Sequence, residues 1–228
     1  MERVIGSMGS EYIRFRLDPE SVPLLTAKFD WNTLARRVFI DPVTGFVDLM
    51  TPSPEHEFHA RGADMVMKAL AGRLGLRSIL LGSTRWRLPG DPENSGAEPD
   101  ACYYLGETAE RWAQAYRHGL VEREAFETNN PPDLVIEVER SPGDRDKPAF
   151  YRRLGVPEMW RIDISGNTRE ALMLDLQAPH SPAELELSKV LPGAGPDFVL
   201  EALGLAIQDR LDELDTLIAE RVGTETRQ

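Results

Sequence analysis

The chain has 228 residues, with 26 Lys and Arg against 38 Asp and Glu, and a formal net charge of −12 at pH 7. Non-specific binding to nucleic acid or to an anionic membrane depends on summed Lys and Arg contacts, so this charge excludes a protein coated in basic residues. The single Cys102 excludes an intramolecular disulfide and is expected to be a packed thiol. The single cysteine fits a reducing cytoplasm, and because no long apolar run occurs, we expect a cytoplasmic protein without a membrane partner.

The first third of the chain predicts an arm, a hairpin and a helix. Residues 1–30 are short mixed stretches, expected to form an arm or a peripheral strand. In segment 38–50 an Asp-Pro-x-x-Gly turn separates two apolar runs, which predicts a β-hairpin. After the Ser-Pro pair at 53–54, apolar residues spaced three and four apart predict an amphipathic helix of about 20 residues that ends near Gly75.

The middle of the chain alternates predicted strands with connections. Segment 78–88 is expected to give two short strands or one bent strand, and segment 100–105 gives another. The polar stretch 106–130 is expected to hold only one helical turn or two. The run at 133–139 is the most strand-like of the sequence, with apolar residues on both faces, and predicts an inner strand.

The last part of the chain repeats the alternation of helix and strand. A helix is predicted over about 144–155, and strands over 158–164 and 171–176. Apolar residues of segment 203–222 recur four, three and four positions apart, which predicts an amphipathic helix. Its apolar stripe could pack on the chain's own body or on a second copy in a homodimer.

Helices before and after a mixed sheet predict an α/β or α+β fold with one central layer of strands. We divide the chain into an N-terminal arm (1–34), a core (35–178) and a C-terminal extension with the amphipathic helix (179–228). The predicted strands of the central sheet all fall within the core.

Carboxylates on predicted strands are the main candidates for chemistry. Glu137 and Glu139 are two residues apart on a strand and so share one face. Burying an isolated carboxylate is costly unless it is paired, hydrogen-bonded or bound to a cation, and Mg²⁺ is typically held by one or two carboxylates. Asp100 begins another strand, and Lys147 follows at the start of a predicted helix. Such residues would suit a site for a hard divalent cation.

Three runs occur in order along the chain: GAEPDACYYLG, PPDLVIEVERSP and DKPAFYRRLGVPEMWRID. With the preceding MTPSPEH, they resemble the Uma-two family of restriction endonucleases, within the PD-(D/E)xK nuclease superfamily, over about residues 35–175. The resemblance implies a restriction-endonuclease-like central mixed β-sheet flanked by helices. It also implies an acidic cluster that binds Mg²⁺, or alternatively Mn²⁺, for hydrolysis of phosphodiester bonds in DNA.

The resemblance also implies roles for the candidate residues. Asp100 and Glu137 would hold the metal ion, which polarises the phosphate and lowers the pKa of a bound water. Glu139 would be a further ligand or would orient that water. Lys147 would help to position the water or neutralise charge that develops on the phosphate.

Two positions depart from the pattern of the family. Glu139 occupies the usual place of the superfamily's lysine, which points to Lys147 on the next helix. Phe46 follows the hairpin glycine where many relatives have an acid, and Asp48 nearby would substitute for it. His56 could lie near the cluster or could only belong to the start of its helix.

The same residues have structural explanations. Asp100 could accept backbone N–H groups in a turn, and Glu139 could pair with Arg140 or Arg145. Lys147 could form a surface ion pair with a neighbouring aspartate, which would contribute little to stability. The alternative function is therefore a catalytically silent nuclease-fold scaffold that binds a protein partner through its acidic surface.

Charge is unevenly distributed along the chain. Residues 61–88 sum to +5, whereas residues 89–139 sum to −9. The basic segment could therefore offer phosphate contacts beside an acidic cluster. Since that cluster would repel DNA on its own, binding of DNA is expected to depend on the divalent ion.

Overall fold

The computed structural model describes residues 2–5, 11–28, 31–33, 35–140, 146–166 and 169–225. Strands β1 to β10 span Glu2–Ile5, Glu11–Arg16, Arg37–Ile40, Phe46–Thr51, Ser78–Leu80, Ala101–Leu105, Leu134–Glu139, Glu158–Asp163, Glu170–Asp175 and Ala183–Glu184. Helices α1 to α7 span Val22–Lys28, Pro54–Arg73, Gly106–His118, Leu120–Asn129, Lys147–Leu154, Pro196–Ile207 and Leu211–Glu225. Within these ranges, no helix is long and apolar enough to cross a membrane.

The strands form two sheets of unequal size. In the smaller sheet, β1, β2, β4 and β3 lie side by side in that order and are antiparallel. The larger sheet has the order β10, β9, β8, β7, β6, β5, and β7 runs parallel to β8 while the other pairs are antiparallel. Helix α5 connects the two parallel strands, since such a pair needs a crossover. This mixed sheet with its helices confirms the predicted fold class. The prediction of a single layer of strands is wrong, because the N-terminal strands form the separate smaller sheet.

Several predicted elements are confirmed. Strands β3 and β4 form the hairpin, closed by the Gly45 N–H bonding to the Asp41 carbonyl at 2.8 Å. Helix α2 has the expected 20 residues and follows Ser53. Strand β7 is an inner strand between β6 and β8. Strand β1, at the edge of the smaller sheet, is the peripheral strand expected near the N-terminus, and it pairs with β2.

Two predictions of helix length are wrong. The polar stretch 106–130 forms α3 and α4, two helices of 13 and 10 residues. In α3, Ala109 and Ala113 provide a narrow buried stripe that its low hydrophobicity conceals. The single C-terminal helix is instead α6 and α7. The helical conformation is interrupted between them at Asp209, which has a φ of 57°. Asp tolerates this left-handed conformation better than most residues.

The larger sheet separates two cores. On one face, α2, α6 and α7 pack on residues such as Ile136 and Trp160. On the other face, α3 and α5 pack together with Phe39 of the smaller sheet. Leu214 and Ile218 of α7 are buried in the first core, so much of the C-terminal stripe covers the chain's own body. A homodimer through this helix stays a prediction, as does the division of the chain at 34 and 178.

The two sheets meet beside the start of β6. Ile40 of β3 and Gly96 exchange two backbone hydrogen bonds, both of 2.9 Å. Gly96 has a φ of +110°, and a Cβ atom there would lie 2.1 Å from the Trp86 carbonyl oxygen. Only glycine fits this close approach. The contact brings β3 close to the ends of β6 and β7 where the candidate carboxylates lie.

Candidate active site

Asp100 lies at the beginning of β6, at the end of the sheet where β7 finishes. Ala101 pairs with Ile136 in the antiparallel register, and continuing that register puts Asp100 beside Glu137. Only 1% of Asp100 is exposed, and its Oδ2 accepts the backbone N–H of Val138 at 2.6 Å. The fold thus brings the two predicted carboxylates to one end of neighbouring strands.

His56 contacts the same oxygen from the first turn of α2. Its Nε2 lies 3.1 Å from Asp100 Oδ2, and since an ionised carboxylate only accepts, Nε2 carries the proton. Burial, together with the positive charge of Arg37, lowers the pKa of His56 to about 4, so the ring is neutral near pH 7. His56 is therefore a neutral hydrogen-bond donor that orients the Asp100 carboxylate. It also begins its helix as predicted, because its N–H bonds to Ser53 Oγ at 3.2 Å.

Arg37 places a positive charge against Asp100. Its guanidinium contacts Asp100 Oδ1 and, at 2.9 Å, donates to Glu57 Oε1. Arg37 is 8% exposed, so a nearly buried guanidinium compensates a nearly buried carboxylate. The sequence alone does not point to Arg37, since β3 and β6 are far apart in the chain. The only signal was an arginine in an otherwise apolar strand.

Glu137 is held by two side chains from α5. Lys147 Nζ donates to Glu137 Oε2 at 2.8 Å, and the Tyr151 hydroxyl donates to Oε1 at 2.6 Å. Lys147 and Tyr151 are four residues apart, so they share one face of the helix. The ion pair that Lys147 makes is thus with the strand carboxylate. Of the aspartates beside it in the chain, Asp146 forms an ion pair with Arg14, and Asp144 lies outside the described residues.

Glu139 faces β8. Arg161 Nε donates to Glu139 Oε1 at 3.0 Å, and its Nη2 contacts the other oxygen, which makes a bidentate pair. Burial raises the pKa of Glu139, and the pair with Arg161 opposes that rise. Of the partners considered for Glu139, Arg140 instead binds Glu55 at 2.9 Å, and Arg145 lies outside the described residues.

A small cavity of about 30 Å³ lies between the smaller sheet and the start of α5, enough for roughly one or two water molecules. Asp48 and Lys147 both line it, and Asp48 is 4% exposed with Arg14 Nε at 3.5 Å. The position after the hairpin glycine, Phe46, instead lies under the Arg14 guanidinium, 4.5 Å from its carbon to the ring centroid. Asp48 is therefore the acid that the hairpin brings to the site.

The sequence model of one protein family, described as "Uma2: Putative restriction endonuclease", matches residues 34–202, well over half of the chain. The protein belongs to the Uma2 family. The match contains Asp100, Glu137, Glu139 and Lys147, and it confirms the resemblance to the Uma-two family. No protein with a curated description matches the chain. The family description indicates a nuclease and hence a hydrolase.

The carboxylates of this Uma2 protein suit a hard divalent cation in kind, because Asp100 and Glu137 are buried oxygen donors on adjacent strands. Among the residues that the structure describes, no three or more His, Cys, Asp or Glu side chains form a ready-made metal cluster. Arg37 and Lys147 already neutralise the two carboxylates. A metal ion would have to replace cationic side chains.

The arginines of the basic segment 61–88 mostly face acids in this Uma2 protein. Arg85 pairs with Glu98 at 2.6 Å, and Arg77 pairs with Glu110 at 2.8 Å. The acidic segment 89–139 therefore neutralises part of the basic one. The difference in charge between the two segments is therefore smaller on the folded surface than along the sequence.

Cys102 is the packed thiol that the sequence analysis expected. It is fully buried on β6, where it accepts the Trp86 indole N–H at 3.2 Å and donates to the Gly82 carbonyl at 3.3 Å. Burial raises the pKa of the thiol to about 12, so it remains protonated near neutral pH. A nucleophilic role has no support here.

Proposed function

We propose that the protein is a metal-dependent endonuclease that hydrolyses phosphodiester bonds in DNA at Asp100, Glu137 and Lys147. One observation carries the proposal: two carboxylates with 1% and 2% exposure lie side by side where β6 begins and β7 finishes, with a lysine on one of them. Buried carboxylates in an apolar strand are costly unless cations or hydrogen bonds compensate them. Apolar residues would serve stability alone at least as well.

Asp100 and Glu137 would hold Mg²⁺ or Mn²⁺, with Glu139 as a further ligand or as the group that orients the attacking water. When bound, such an ion polarises the scissile phosphate and lowers the pKa of a water molecule. The protein's own contacts support this assignment, because Val138 N–H and His56 hold one oxygen of Asp100 in a fixed direction.

Lys147 would act on the substrate. Its ammonium group is fixed at the start of α5 and lines the small cavity, where it would meet a phosphate oxygen and neutralise developing negative charge. Tyr151, one turn further on, keeps Glu137 in place through its hydroxyl. Glu137 thus has a second donor that does not depend on Lys147.

The test is cleavage of supercoiled plasmid DNA with Mg²⁺, Mn²⁺ or EDTA by the wild type and by Asp100→Asn and Glu137→Gln. We expect both variants to lose at least about 100-fold in rate, because the metal supplies several kcal/mol of transition-state stabilisation. Glu158→Gln is the matched control. This carboxylate is also 1% exposed, but it lies at the start of β8, beside the start of β7 and away from the end where Asp100 and Glu137 lie. Wild-type rates for Asp100→Asn would refute the site.

A silent scaffold is the second candidate, and one observation favours it. Each of Asp100, Glu137 and Glu139 already has a basic partner, so the site is electrically satisfied without metal. A calorimetric titration with Mn²⁺ separates the two functions. Absence of binding in the millimolar range, together with absence of cleavage, would favour a scaffold that binds a protein partner through its acidic surface.

A further inference from the structure

The Arg37 guanidinium occupies the position on Asp100 that a metal ion would need. It contacts Asp100 Oδ1, while Val138 N–H and His56 Nε2 occupy Oδ2. Both oxygens of the carboxylate are therefore engaged, and the guanidinium of Arg37 makes the ion pair at Oδ1. A divalent cation at Asp100 competes directly with Arg37.

The small cavity is lined by the two basic side chains of the site. Its walls include Arg37 and Lys147, whereas Asp100 and Glu137, which these two side chains contact, do not line it. An ion in the cavity would therefore meet these two positive groups and neither carboxylate.

Arg37 has a second acceptor to which it can withdraw. Its Nη2 already donates to Glu57 Oε1 at 2.9 Å, and the Glu57 side chain is 39% exposed at the surface of α2. Because a guanidinium has five N–H donors, it can release Asp100 and keep its charge paired with Glu57. Withdrawal therefore does not leave a buried, uncompensated arginine.

We propose that Arg37 is an internal counter-ion of the metal site: it neutralises Asp100 while the site is empty, leaves Asp100 when a divalent cation binds, and stays on Glu57. The proposal rests on the proposed function, because it takes Asp100 as a metal ligand. It makes metal binding an exchange of cations. The protein is thereby stable without metal, at the expense of its affinity for the ion.

The test is calorimetric titration with Mn²⁺ and thermal melting with and without Mn²⁺, on the wild type and on Arg37→Met. We expect Arg37→Met to melt at a lower temperature in EDTA and to bind Mn²⁺ about tenfold more tightly or better, as for a typical coupling between competing sites. Mn²⁺ should raise its melting temperature more than that of the wild type.

Arg153→Met is the matched control, since Arg153 donates to Asp41 at 2.6 Å and Asp41 is fully buried outside the metal site. This variant should also melt at a lower temperature, but its affinity for Mn²⁺ should match that of the wild type. If Arg37→Met fails to fold, Arg37→Lys replaces it. A lysine has no fork with which to bridge Asp100 and Glu57, so its affinity for Mn²⁺ should still exceed that of the wild type.

The outcomes separate this proposal from the proposed function. Cleavage by the wild type, with no tighter Mn²⁺ binding by the Arg37 variants, would overturn the counter-ion and leave the nuclease in place. Tighter Mn²⁺ binding by Arg37→Met, with no cleavage by any form, would support the counter-ion and overturn the nuclease. Absence of Mn²⁺ binding by every form would overturn both.

Discussion

Single residues of the site differ in how far the sequence could predict them. Asp100 and Glu137 were predictable, because carboxylates on apolar strands require compensation whatever the fold. Their partners Arg37 and Tyr151 were not, because only the bridge between β3 and Gly96 and the packing of α5 beside β7 bring them there. The sequence therefore indicated the acids, and the fold was needed to find the groups that neutralise them.

The contact of Tyr151 with Glu137 leads to a prediction about stability. Tyr151→Phe removes a hydroxyl that donates to a charged carboxylate at 2.6 Å in a fully buried position. We expect the free energy of unfolding to fall by about 1.5–3 kcal/mol, the range for hydrogen bonds to charged groups. Urea denaturation followed by circular dichroism measures this loss.

Tyr104→Phe provides the comparison for that measurement. Tyr104 is also fully buried, but its hydroxyl donates to the neutral carbonyl of Asn130 at 2.7 Å. The loss should be smaller, about 0.5–1.5 kcal/mol. Equal losses for both variants would show that the charge on Glu137 does not strengthen its hydrogen bond.

At the scale of elements, local signals were sufficient where one element has a strong period or a defined turn. The hairpin of β3 and β4, helix α2 and inner strand β7 were predicted for that reason. Helices α3 and α4 were not, because a few small buried residues such as Ala109 are enough to hold α3 against the sheet. The break between α6 and α7 occurs at Asp209, and the regular spacing of apolar residues along this segment does not indicate its left-handed backbone conformation.

The junction between the two sheets should be sensitive to a single methyl group. Gly96→Ala would place a Cβ atom 2.1 Å from the Trp86 carbonyl oxygen, in a backbone conformation with φ of +110°. We expect a loss of at least about 2 kcal/mol, and hence a drop in melting temperature of roughly 4 °C or more for a chain of this size. Differential scanning calorimetry measures the shift.

Gly72→Ala is the control for this substitution. Gly72 lies near the end of α2, and a Cβ atom there would meet no other atom within 4 Å. Alanine favours a helix over glycine by about 0.5–1 kcal/mol, so this variant should be as stable as the wild type or slightly more so. A wild-type melting temperature for Gly96→Ala would contradict the close packing of the two sheets.

For the whole molecule, the distribution of charge matters more than its total. The net charge is −12, and arginines such as Arg77 and Arg85 are paired with acids. Next to the site, Arg14 and Arg161 also face carboxylates. These four arginines thus already have acidic partners and are less available to phosphate groups. The sum over segment 61–88 could not reveal this, because its acidic partners lie elsewhere in the chain.

Binding of DNA should therefore depend on a divalent ion. In EDTA, at about 0.15 M salt, we expect a duplex to bind at least about tenfold more weakly than with Ca²⁺, an oxygen-binding cation that replaces Mg²⁺ in this comparison. Fluorescence anisotropy of a labelled duplex measures both affinities. Tight binding in EDTA would mean that side chains alone supply the phosphate contacts.

The buried thiol of Cys102 gives the protein an intrinsic reporter of its own motion. The cysteine lies on β6, two residues beyond Asp100, and it is the single cysteine of the chain. Reagents attack the thiolate form, which burial suppresses here, so labelling requires β6 to open. The rate of labelling of the unmodified protein thus measures how often the strand beside the candidate carboxylates separates from its neighbours.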